Sequence, residues 1–164
     1  MGISRGAVGL LAMTLGGDLK RGRVVTFGVQ KIEAAGSDIR HVLQAHGFPV
    51  PPESAGSGDG AVVSQNTLFA MLGYRRIDSI DYYPDEGPSR VLDLNLPLPS
   101  DIGPDFDLVY DGGTMEHCFN TVQLLRNAAS LTAPGGMVIH HVPMNNWVDH
   151  GFYQFSPTLF FDFY

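Results

Sequence analysis

The 164-residue chain predicts an α/β protein whose mostly parallel sheet is covered by helices on both faces. Three observations carry that expectation. Short runs rich in β-branched and aromatic residues alternate with segments of helical periodicity, the pattern of strand-helix-strand units. Three of the runs end at an aspartate, Asp81, Asp93 or Asp111, and parallel sheets bind ligands beyond the carboxyl ends of their strands. A composition of 44% hydrophobic and 16% charged residues suffices for one sizeable core, so residues 1–164 are expected to form a single domain.

Val8, Leu11 and Leu15 in "SRGAVGLLAMTLGG" recur at near-helical spacing and predict an amphipathic helix packed on the domain. The same run is too short and glycine-interrupted for a secretory signal, and it lacks a convincing cleavage site. "GRVVTFGVQ" (22–30) reads as the first strand, ending at Gly28, and "KIEAAGSDIRHVLQAHG" as a helix or helical loop ending near Gly47. Pro, Gly and Ser dominate "FPVPPESAGSGDG", so residues 48–60 are expected to be a mobile surface loop. A helix with Val63, Leu68, Met71 and Leu72 on its apolar side should stop at Gly73.

Three short strands follow: "RRIDSIDYY" to Asp81, "SRVLDLN" to near Asp93, and "FDLVYDGG" to Asp111. Val122, Leu125 and Ala129 then mark a helix closed by a Pro-Gly-Gly turn, after which "MVIHHVP" is a buried fifth strand. The tail "SPTLFFDFY" opens a last helix, with Ser156 as N-cap and Pro157 in the first turn.

Charge and composition exclude several functions. Seventeen acids face ten bases, and the stretch from Asp78 to Asp111 holds nine acids against Arg90 alone. Such a stretch repels a phosphate backbone, so no nucleic-acid substrate is expected. No apolar run approaches the ~20 residues that span a bilayer, so no membrane association is expected either. Cys118 is the only cysteine, which rules out an internal disulfide and fits a reducing cytoplasm.

Metal and nucleophile chemistry find little support in spacing. His117, His140, His141 and His150 cluster in the second half with Glu116, Asp111 and Asp149, but no H-E-x-x-H or Cys-x-x-Cys pattern exists. His140 and His141 are neighbours on one strand and so face opposite ways. No metal site is expected, and a metal-dependent hydrolase is the third-ranked function. No G-x-S-x-G elbow is present, and Cys118 reads as a small buried residue. The loop "PMNNWVDHGFYQFSP" (143–157) offers aromatic walls and polar groups for a small ligand, with His150 either a general base or a packing residue. Met144 and Trp147 read as core in both cases.

The order of residues in "FDLVYDGGTMEHCFNTVQLLRNAASLTAPGGMVI" (106–139) resembles the class I S-adenosylmethionine-dependent methyltransferases. In that family a strand leads to a loop containing Glu-His, a helix follows, and a Pro-Gly-Gly turn opens the next strand. The likeness extends from Arg23 to the start of the last helix. It implies a Rossmann-like three-layer sandwich with five of the usual seven strands present, and hence a C-terminally truncated domain whose open fifth strand invites self-association.

The resemblance also implies S-adenosyl-L-methionine as cofactor and a small-molecule methyl acceptor. Asp81 would accept from the ribose hydroxyls, Asp93 with Leu94 would hold the adenine, and Gly28 would let the methionine part pass the backbone. Asp111, His117 and His150 are the candidates on the reacting side. Glu116 becomes the lip of the crevice, placed to favour the positive end of the following helix dipole. The first loop, "TFGVQKIEAAG", departs from the family's G-x-G-x-G. The alternative is therefore a non-catalytic Rossmann-like interaction domain that has lost cofactor binding.

Overall fold

Val24, Val25 and Phe27 are all fully buried, as are Leu108 and Val109, because successive side chains leave opposite faces of a sheet covered on both. The computed structural model describes residues 2–17, 21–50 and 62–164. Its sheet consists of β1 (Arg23–Phe27), β2 (Arg76–Asp81), β3 (Arg90–Val91), β4 (Phe106–Asp111) and β5 (Thr132–His140), in the order β3-β2-β1-β4-β5. Every pairing is parallel. The strand order reverses between β1 and β4, which opens a crevice at their carboxyl ends.

One face carries α1 (Arg5–Thr14), α2 (Gly36–Ala45) and α3 (Gln65–Met71), packed on Val24, Leu108 and Tyr110. The other carries α4 (Thr121–Leu131) and α5 (Pro157–Phe163), packed around Val25, Phe27 and Val109. The fold is thus α/β, a Rossmann-like three-layer sandwich. Val8, Leu11 and Leu15 are buried as their spacing predicts, and Ile3 pairs with Ile32 to tie the start of the chain to the loop after β1. Side-chain caps begin four helices: Ser4, Ser64, Asn120 and Ser156 each accept from a backbone N–H in the first turn. Among the described residues no helix is long and apolar enough to cross a membrane.

Four details differ from the sequence reading. β3 is only two residues long, because the chain turns away at Asp93 to Asn95. The apolar face of α4 is Leu124, Leu125, Ala128 and Leu131, whereas Val122 and Ala129 are exposed. Buried Asn127 sets this rotation, since its amide donates to the carbonyls of Leu94 and Leu96. Pro134, Gly135 and Gly136 lie within β5 as an irregularity, with Phe106 opposite Thr132 but Leu108 opposite Met137. Gly135 supplies the positive φ, +78°, that this bulge requires. Finally, Phe48 and Val50 belong to the core, with Phe48 N–H bonded to the Leu43 carbonyl and the Arg21 guanidinium over the Phe48 ring. The remainder of the expected mobile loop, 51–60, lies outside the described residues.

Two buried groups test this architecture. The Asp107 carboxylate accepts from Gly22 N–H and Arg23 N–H, both at 2.8 Å, and so anchors the start of β1 beside β4. Asp107→Ala should lower unfolding free energy by about 2–4 kcal/mol, and Asp107→Asn by less, because the amide oxygen still accepts. Urea titration reads this; an unchanged midpoint for the alanine variant would refute the anchor. Burial also pushes the Tyr74 phenol up to about 12, with Arg21 opposing the rise and Asp107 adding to it. Tyr110 is raised by burial and by Asp111. An unfolded tyrosine ionises near pH 10, so the stability these phenols contribute is present below about pH 10 and lost as pH rises towards 12. The urea midpoint should fall between about pH 10 and 12, and by less in Tyr74→Phe; equal falls would show that Tyr74 is not the group responsible.

Candidate functional site

The crevice beyond β2, β3 and β4 has a volume of about 590 Å³, and its walls include Asp81, Tyr83, Asp93, Thr114, His117 and Phe152. The turn after β1 packs against two of these residues. Gly28 adopts φ +73°, and a Cβ there would lie 3.0 Å from Thr114 Oγ1 and 3.6 Å from Asp81 Oδ2. Glycine therefore lets the turn pack closely against two lining side chains at a φ that other residues rarely adopt. The turn is held from below: Thr26 Oγ1 donates to the Gly28 carbonyl, Gln30 Nε2 to the Phe27 carbonyl, and Gln65 Oε1 accepts from Gln30 N–H.

Asp81 ends β2 opposite this turn. One oxygen accepts from Val29 N–H at 3.2 Å and the other from Tyr83 N–H at 3.1 Å, which leaves further lone pairs for a ligand. Asp93 lines the same crevice, but its Oδ1 also accepts from the backbone and side-chain amides of Asn95 and so shapes its own turn. Leu94 contributes to the wall and is buried beneath it. Asn95 and Asn127 stiffen this corner, Asn95 Oδ1 accepting from Asn120 N–H at 2.8 Å. Four of the sequence candidates, Asp81, Asp93, Leu94 and His117, thus share one wall, with Gly28 directly behind Asp81.

Asp111 takes a different place. Its side chain is fully buried, with Oδ1 accepting from Thr114 N–H and Met115 N–H and Oδ2 paired with His140 Nδ1 at 2.9 Å. It anchors the loop after β4 and does not line the crevice. His140 in turn meets Tyr164 and stacks on Phe160, while His141 leaves the opposite face to meet the Tyr110 hydroxyl. Burial lowers the His141 pKa, which favours the neutral ring. Cys118 is buried as expected, and burial, with Asp111, Asp93 and Glu116 adding, pushes its thiol up to about 12. A thiol so raised is a poor nucleophile at neutral pH.

Glu116 departs furthest from its expected role. It is not an exposed lip but a fully buried side chain in a 3-10 turn (Met115–His117), roofed by two histidines. His150 Nε2 lies 3.3 Å and His117 Nε2 4.0 Å from its Oε1. The roof is clipped on by backbone bonds from Phe152 N–H and Tyr153 N–H to the Glu116 carbonyl. Gly151 permits this approach, since a Cβ there would sit 2.8 Å from that carbonyl. His150 therefore faces Glu116, with Trp147 edge-on to its ring at 4.7 Å. Trp147 and Met144 are exposed, not core.

No family model matches the chain, and no curated protein does. Among solved structures it is similar to the trans-methyltransferase CalH in complex with SAH, at a TM-score of 0.40 and 15% identity, over 82% of this chain and 34% of that one. The chain thus spans about a third of that protein's length. What its own coordinates establish is a Rossmann-like α/β fold, through five parallel strands in the order β3-β2-β1-β4-β5 with helices on both faces.

Proposed function

We propose that the chain is a methyltransferase domain that binds S-adenosylmethionine in the crevice beyond β2, β3 and β4 and serves a small-molecule acceptor. The observation that carries this reading is Asp81, a carboxylate at the end of β2 that lines the crevice and keeps lone pairs beyond those bonded to Val29 N–H and Tyr83 N–H. Such an acceptor suits a ligand with a ribose diol. Asp81 would accept from the two hydroxyls, and Asp93 from an exocyclic amine. Two carboxylates on the wall favour a cationic ligand over a pyrophosphate, in keeping with a first loop that has no glycine-rich phosphate cradle.

When bound, S-adenosylmethionine supplies a methyl group that the acceptor's lone pair takes as the carbon-sulfur bond breaks and its electrons stay on sulfur. The chain's own residues then align the acceptor and take its proton. His117, on the wall and half exposed, is the group positioned to remove a proton from an acceptor hydroxyl or amine, and Phe152 and Tyr83 offer apolar walls. Alignment accounts for most of the rate, since the sulfonium is already a good leaving group.

A second reading, a non-catalytic interaction domain, draws on Asp93, whose Oδ1 is engaged within its own turn. The two readings separate in calorimetry with S-adenosylhomocysteine. Binding by the native chain, weakened on the order of 10-fold by Asp81→Ala and less by Asp81→Asn, is the expected result. Absence of binding by the folded native chain, or equal affinity in Asp81→Ala, would favour the interaction domain. Gly28→Ala should also weaken binding, because its Cβ would press on Thr114 Oγ1, 3.0 Å away, and shift the crevice wall.

A further inference from the structure

Spacing in the sequence argues against a metal, yet the fold brings His150 back to the adjacent Glu116 and His117, 34 positions after Glu116 in the chain. Among the described residues, Glu116, His117 and His150 each offer one ligand atom, all within 4.8 Å of one another. Two imidazole nitrogens and one carboxylate oxygen are a donor set for first-row divalent cations, not for the oxygen-seeking magnesium or calcium. A tetrahedral zinc with bonds of about 2.0–2.1 Å spaces its ligands about 3.3 Å apart. The carboxylate stands 3.3 Å from His150 and 4.0 Å from His117, so small rotations of the two rings would close the site.

A second observation points to a missing ligand. Glu116 is fully buried, and its Oε2 has no hydrogen-bond partner among the described residues. A buried carboxylate with an unsatisfied oxygen is costly unless a cation or donors compensate. The His150 contact reaches Oε1 alone and leaves Oε2 without compensation. The surroundings are built to hold this geometry: Phe152 and Tyr153 clip the His150 loop to the Glu116 backbone, and Trp147 packs edge-on against His150. Access is also available, because the side chains of His117 and His150 are 46% and 27% exposed.

We propose that Glu116, His117 and His150 bind one divalent transition-metal cation, with zinc as the test ion, at the rim of the crevice. Three protein ligands leave a coordination position for water or an incoming group. Since His117 also lines the crevice, that position borders the space assigned to the acceptor. A hydroxyl ligated there would lose its proton more readily, a consequence that rests on the methyl-transfer reading; cation binding itself does not.

The test uses the whole chain stripped of metal by chelation and then titrated with Zn²⁺, with Co²⁺ as a spectroscopic probe. One equivalent of Zn²⁺ should bind per chain, raise the thermal midpoint, and resist competition by Mg²⁺. Co²⁺ should give the intense visible bands of a four-coordinate site. His150→Ala and His117→Ala should each weaken Zn²⁺ binding on the order of 100-fold, whereas His41→Ala, on the exposed side of α2, should not. Glu116→Gln keeps the shape but loses the charge and should also weaken binding, with circular dichroism confirming the fold. Absence of stoichiometric Zn²⁺ uptake, or uptake unaffected by both histidine variants, would overturn the proposal and leave a hydrogen-bonded Glu-His pair. S-adenosylhomocysteine affinity, measured on the same samples, separates the two claims: its loss with Zn²⁺ binding intact refutes the cofactor reading alone.

Discussion

The carboxyl end of the sheet hangs from the buried carboxylate of Asp111. A charge in that position is tolerable only where donors surround it, and Thr114 N–H, Met115 N–H and His140 Nδ1 do so. Each bond determines something beyond itself. The first two fold the chain back after β4, which brings Thr114 Oγ1 onto the Phe27 carbonyl at the end of β1 and sets Glu116 in its 3-10 turn. The third ties β5 to β4, and through His140 reaches Tyr164 and Phe160 of the last helix. Crevice, histidine roof and α5 therefore share one point of attachment.

This attachment explains why the fold was legible in the sequence and the site only in part. Strand and helix patterns are local, so β1, β2, β4, α1 and α3 could be read from alternation and spacing, and Asp81 from its place at a strand end. The phase of α4 was not local: Asn127 turns toward the carbonyls of Leu94 and Leu96, about thirty positions earlier, and takes Leu124 into the core in place of Val122. Asp111 was recognised as important but for the wrong neighbourhood, because a strand-end carboxylate reads alike whether it faces ligand or backbone. The pairing of Glu116 with His150 left no periodic trace. Its one signal was Gly151, a glycine whose missing side chain lets two loops touch, and a lone glycine in a loop has many readings.

The stiffness of the first turn bears on what a turn with one glycine can bind. A glycine-rich loop presents free N–H groups to an anion, whereas here Gln30 N–H is already held by Gln65 and Val29 N–H by Asp81. Such a turn is poor at gripping phosphate. It remains fixed in shape, because Thr26, Gln30 and Gln65 brace the turn at Gly28. Such a turn suits a ligand that needs a hydrogen-bond acceptor, as at Asp81, and not a nest of donors.

At the rim, elimination narrows the chemistry further. Cys118 lines the crevice, but its raised thiol pKa removes it as a nucleophile near neutral pH. Asp111 and His140 are engaged with each other beneath the floor. Asp93 is committed in part to its turn. The group left beside the expected acceptor is the imidazole of His117, and its acidic neighbour by ion-pair geometry among the described residues is the buried Glu116. His117 thus joins the ligand crevice to the Glu116 and His150 cluster, so any charge placed on one must be felt by the other across a few ångströms of protein interior. A cation at the cluster would take the lone pair of His117 Nε2, so a hydroxyl brought to the rim would lose its proton through ligation to that cation; without a cation the same imidazole is the base.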